Sequence, residues 1–261
     1  MTIVKHELRR GKLSLLIWSA SIAFMLGICV LFFPEMENQM EQVSSVFADM
    51  GNFSAAFGMD RLNFGEFLGF FCVECGNILG IGGAMYAALL GITALSGEEK
   101  EHTAEYLLTH PVSRAQVITG KLLAVVVQIT ALNLINAAVT ALMVMVIGET
   151  PDTKTLALLF LSYYLLQLNI AAITFGISAF LRRGSLGIGL GLALGFYFVN
   201  IIANLTEDAK VLKYITPFSY TEGADIVAEK ALELPYLAAG LAMAVIGIAV
   251  AYYQYSRKDI S

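Results

Sequence analysis

Charge is what this chain has least of. Asp, Glu, Lys and Arg make up 14% of its 261 residues, where a water-soluble domain carries about 25%. That shortage excludes an ordinary soluble domain. The formal net charge of -5 comes largely from acidic loops and gives no footprint for nucleic acid. Cysteine is as rare. Cys29, Cys72 and Cys75 all fall in or at apolar runs, so no secreted disulfide framework exists. The histidines His6, His102 and His110 stand isolated, and no zinc spacing or H-E-x-x-H occurs. There is no G-x-S-x-G. There is also no phosphate-cradling G-x-x-x-x-G-K-[ST]: Gly11-Lys12 and Gly120-Lys121 lack the preceding glycine and the following hydroxyl. If the chain does energised work, another subunit supplies the energy, and no cofactor is expected on this one.

What is present is apolar length. The mean hydropathy is +0.72 and 57% of the residues are hydrophobic. Six runs approach or exceed the ~20 residues that a spanning helix needs: 13–33, 67–95, 116–147, 156–181, 185–203 and 235–255. The fold class expected is an all-α integral membrane protein. With the N-terminus inside, 11 of the 16 Lys and Arg fall in inner segments and 5 in outer ones, which places both termini in the cytoplasm. The first run is too long for a cleaved signal and reads as a retained anchor.

Residues 2–12 read as a short basic interfacial helix, with Ile3, Val4 and Leu8 toward lipid and Lys5, Arg9, Arg10 and Lys12 toward anionic headgroups. After Pro34, Met36, Met40, Val43, Phe47 and Met50 step by four and three, the pattern of an outer helix packed on the span ends. The second run is rich in small and polar residues, which let helices approach closely in lipid. It carries Glu74 and Asn77. An intramembrane carboxylate suggests function by default. Glu74 reads either as the lining of a polar pathway or as a group that snorkels outward or is protonated. Cys72 and Cys75 form a C-x-x-C that reads as packing, since no further ligand lies at metal spacing. Gln128, Asn133 and Asn136 in the third run, with Gln167 and Asn169 in the fourth, are expected to bond across helices; Gln128 and Asn133 are also candidates for a translocation path. Gly187, Gly191 and Gly195 make a tandem G-x-x-x-G, fit for packing within the bundle or for a subunit contact. The segment 204–234 reads as short helices dipping into the outer leaflet.

The polar insert 97–121 is built as a rigid part. Ser96 and Glu99 have capping-box spacing, and so do Ser113 and Gln116. Ala104, Leu107 and Leu108 give one narrow apolar face. Pro111 stops the helix and restricts His110. A short stiff helix between two spans suits the passing of a push from a water-side partner into the membrane.

The order Gly97-Glu98-Glu99, then Thr103-Ala104-Glu105-Tyr106-Leu107-Leu108, then Pro111-Val112-Ser113-Arg114 resembles the signature of bacterial ABC export permeases of the type-2 membrane family. His102 stands where that family often has glycine. Ile215-Thr216-Pro217-Phe218-Ser219-Tyr220 resembles its outer segment before the last span. The resemblance implies that 97–110 is a cytoplasmic coupling helix resting on a separate ATPase. The residues in play there are Glu98, Glu99, His102, Thr103, Glu105, Leu107, Leu108, Pro111 and Arg114. It further implies two ATPases holding ATP and Mg, and a second permease, identical or related, meeting this one along the first and fifth spans. The site implied is the bacterial plasma membrane and the cargo an exported amphiphile such as a peptide, drug or lipid-like molecule. Rival readings are a stand-alone transporter or channel gated through Glu74, and a membrane anchor or sensor that moves nothing.

Overall fold

The computed structural model describes residues 2–49, 51, 54, 59–96, 113–181 and 185–257. Among them the chain is helical, with no strand. The long helices are α1 (Thr2–Asp49), α2 (Phe67–Ala94), α3 (Arg114–Ile147), α4 (Thr153–Ser178), α5 (Leu186–Leu205) and α7 (Leu234–Arg257). Each contains a stretch long and apolar enough to cross a membrane, so this is a multi-pass membrane protein. Between α5 and α7 lie two 3-10 turns, Glu207–Tyr214 and Ser219–Thr221, and the short α6 (Gly223–Glu229). Tyr255 near the end of α7 and Ile3 near the start of α1 pack in one cluster with Leu95, Val117 and Ile118. We call that the terminal end of the bundle, and the opposite one the far end.

The helices α2 to α5 and α7 begin and end within a few residues of the apolar runs. The first does not. The sequence divides residues 2–50 into an interfacial helix, a span over 13–33 and a separate outer helix after Pro34; the structure joins 2–49 into one helix. Gly11 costs a helix only about 1 kcal/mol, too little to break it between two good stretches. Pro34 withdraws one backbone donor. The turn before it is held by Phe33, fully buried with its ring against Phe67 and Phe70. Residues 35–49 contain no glycine and many Glu, Gln and Met, so the helix resumes.

Small residues set the contacts around α2 and α4. A methyl group at Gly91 would lie 2.1 Å from Thr174 Oγ1 and 2.4 Å from the Ala171 carbonyl. Between α4 and α7 the same closeness recurs at Gly176, where it would lie 2.6 Å from the Gly247 carbonyl. Without a hydrophobic effect between helices in lipid, such close backbone approach is a main source of cohesion. The third helix starts on the expected capping box of Ser113 and Gln116 and stops at Gly148, whose φ of 80° closes the left-handed turn.

Candidate functional site

Residues 97–112 lie outside the described residues, and with them Glu98, Glu99, His102, Thr103, Glu105, Leu107, Leu108 and Pro111. Their two points of attachment are described. On the α2 side, Ser96 is buried and donates to the Ile92 carbonyl at 2.7 Å. On the α3 side, Arg114 Nη1 donates to the carbonyls of Tyr255 at 3.2 Å and Ser256 at 3.1 Å, so a cation sits on the C-terminal end of α7. Thr119 and Tyr252 share a hydroxyl pair at 2.6 Å just above it. Lys121 is 2% exposed, rare for a lysine unless it is paired. Its ammonium donates to Glu7 Oε1 at 3.0 Å and to the Ala94 carbonyl at 2.8 Å. One side chain on α3 thereby holds both the start of α1 and the last turn of α2. The connection 97–112 hangs from two tightly fixed posts.

A second polar constellation occupies the far end. The turn Phe71–Cys75 of α2 is a π turn, a form often found at functional sites. Just after it, Asn77 Nδ2 donates back to the Val73 carbonyl at 2.6 Å, and its Oδ1 accepts from Tyr197 of α5 at 3.1 Å. Glu222, between the 3-10 turns and α6, accepts from Asn200 at 2.6 Å and Asn204 at 2.7 Å, both on α5. Asn77, Tyr163, Tyr197, Asn200 and Glu222 line a cavity of about 60 Å³, enough for a few waters. It joins α2, α4, α5 and the segment 206–233 between α5 and α7. The aromatic stretch before Glu222 is anchored: Tyr220 is buried and receives a hydrogen bond from Asn169 at 2.6 Å, while Thr216 donates to the Phe196 carbonyl at 2.8 Å. Burial pushes the Tyr220 phenol above its ordinary pKa.

Between these ends runs a buried ladder of amides. Tyr86 donates to Gln128 at 3.3 Å, and Asn133 donates to Gln167 at 2.6 Å. All three amides are buried in helix contacts, where they join α2, α3 and α4. Glu74 is not part of this ladder. It is exposed on the outside of the bundle, in a groove between α1 and α2.

Residues 1–260 match the family model described as ABC-2 family transporter protein. The chain belongs to the ABC-2 transporter family. The permease is therefore the membrane-spanning component of an ABC transporter, not its ATPase, and its family generally works with an ABC ATPase subunit. No protein with a curated description matches the chain.

The structure separates the glycines of α5. Gly189 faces inward, against Ile92 and the Ala88 carbonyl of α2. Gly191 and Gly195 face outward with no described residue within 4 Å of an added methyl, and among the described residues Gly187 meets only Ser185 of its own helix terminus. The tandem G-x-x-x-G is thus not consumed by packing inside the permease.

Sequence reasoning passed over Glu222, its two asparagines, and the Lys121–Glu7 pair. A signal existed for each. Asn200 and Asn204 stand one turn apart, which puts two amides on one helix face. Glu7 is the only acid among residues 2–12, and Lys121 opens a long apolar run. Neither pattern names its partner.

Proposed function

We propose that the permease is the transmembrane subunit of an ATP-driven exporter that moves an amphiphilic molecule outward. Residues 97–110 act as the coupling helix, gripped by a separate ATPase present in two copies that hold ATP and Mg. A second permease, identical or related, completes the unit, with α1 and α5 as its meeting face and the outward glycines at its centre. The protein sits in a bacterial plasma membrane with the terminal end in the cytoplasm.

The observation that carries this reading is the pair of posts around 97–112. A connection tied only loosely to the bundle would absorb a push. This one begins one residue past the buried Ser96 and ends at a capping box, with Lys121 and Arg114 binding α1, α2, α3 and α7 around it. A displacement of the connection therefore moves whole helices. ATP biases the transport cycle only if it binds two states unequally, and a stiff attachment lets that difference reach α2 and the far-end cavity.

The test is co-purification of the permease with an ABC ATPase and stimulation of that ATPase by the permease. Replacing Glu98 and Glu99 with lysines should abolish stimulation while the permease still inserts and remains monodisperse. Full stimulation from that variant counts against the assignment of 97–110.

A further inference from the structure

The groove that holds Glu74 has a charge its surroundings do not answer. It is lined by Met25, Ile28, Phe32 and Met36 of α1 and by Phe70 and Ile78 of α2, and its volume is about 380 Å³. From Met25 to Met36 it runs roughly 16 Å along the helix axis, at 1.5 Å per residue. Met25 and Phe32 are 54% and 57% exposed, so this face is open on the outside of the bundle. Within the π turn, Cys72 and Cys75 are buried while Glu74 points out. Among the described residues none gives Glu74 a hydrogen bond or an ion pair, and no Lys or Arg lines the groove. A lone carboxylate at membrane depth is costly and calls for a cation.

The rest of the lining narrows the class of that cation. No group of three or more His, Cys, Asp or Glu capable of holding a metal ion occurs among the described residues. There are few polar atoms to replace the water around a compact ammonium. Phe32 offers a ring face, and Met25 and Met36 offer polarizable, adaptable thioethers. We infer that Glu74 selects amphiphilic organic cations, whose charge is spread over or shielded by apolar groups, and that the α1–α2 groove is where they bind. As a specificity element for transport this rests on the exporter reading; as a binding site it does not.

The experiment measures equilibrium binding of tetraphenylphosphonium to the purified full-length permease, with the neutral triphenylphosphine oxide as comparison. Glu74→Gln is expected to weaken phosphonium binding about tenfold, equal to ~1.4 kcal/mol, and to leave the neutral compound unchanged. Glu74→Asp keeps most of the affinity. Cys29 also lines the groove, so phosphonium should slow its reaction with a maleimide in a variant whose Cys72 and Cys75 are serines. That readout needs no change at Glu74. Equal phosphonium binding by wild type and Glu74→Gln overturns the inference, and so does equal loss of both compounds or an unprotected Cys29. A groove covered by a second copy would give no phosphonium binding in wild type and an altered oligomeric mass for Glu74→Lys; that outcome also overturns it. ATPase stimulation without phosphonium binding defeats this inference alone. Phosphonium binding without any ATPase partner defeats the exporter reading alone.

Discussion

Lys121 of α3 and Glu7 of α1 form an ion pair at 3.0 Å across 114 residues of chain, with the lysine almost wholly buried and the glutamate partly open to solvent. The two ends of this pair are not equivalent. Removing Glu7 takes a charged partner from an ammonium in the protein interior. Removing Lys121 leaves a carboxylate that can still reach water.

The first prediction follows from that asymmetry. Glu7→Ala should destabilise the permease more than Lys121→Met, by up to ~3 kcal/mol, the lower end of the cost of removing one partner of a buried ion pair. The double variant should recover part of the loss. Thermal unfolding in detergent, followed by size-exclusion fluorescence, checks the order of the three. Equal losses for both single variants would show that the pair is not buried as described.

Two glycines with opposite surroundings give the second prediction. Gly91→Ala forces a methyl into Thr174 and the Ala171 backbone, an overpacking that typically costs about 1–3 kcal/mol. Gly191→Ala meets nothing within 4 Å inside the permease and should leave its monomer stability unchanged. If α5 is a meeting face between copies, Gly191→Leu should lower the oligomeric mass measured by light scattering. An unchanged mass would remove α5 from the interface.

At the far end, Glu222 ties the segment 206–233 to α5 through two amides. Glu222→Ala leaves the donors of Asn200 and Asn204 without that acceptor, at a cost of roughly 1–3 kcal/mol per orphaned buried group. Amide hydrogen exchange in 206–233 should then speed up, while exchange in α3 stays as it was. Uniform acceleration over the whole chain would indicate general destabilisation instead of a local release.

The fourth prediction concerns acid. Asp152 caps the start of α4, and its pKa is held at about 2, first by the hydrogen bond from Lys230 and next by that from Thr155. A depressed carboxylate adds stability above its unfolded pKa and loses it as the pH falls through the folded one. The contribution here is therefore complete above about pH 4 and fades toward pH 2. Lys230→Met should remove much of that contribution, lowering melting temperatures above about pH 4, neutrality included, and leaving them unchanged near pH 2. Equal melting temperatures for the variant and the wild type near neutrality would mean that Lys230 does not set this titration.

Composition and periodicity were enough for the helical class and for six spans, because the bilayer allows few ways to satisfy a backbone and apolar length reports them directly. The capping box at Ser113 and Gln116 was likewise legible, being a local device. Continuity through Pro34 was not, since it depends on Phe33 being gripped by Phe67 and Phe70 from another helix. Nor was the separation of Gly189 from Gly191 and Gly195, which only the packing of α5 on α2 decides.

What the sequence determined alone was the set of rods, their caps and a polar insert between two of them. Tertiary structure alone decided which charges meet. Lys121 finds Glu7, Glu222 finds Asn200 and Asn204, and Glu74 meets no cation among the described residues of its groove. Spacing along a chain fixes which residues share a helix face. Which two faces touch is set by how closely small residues let the backbones approach, a relation between segments far apart in the chain.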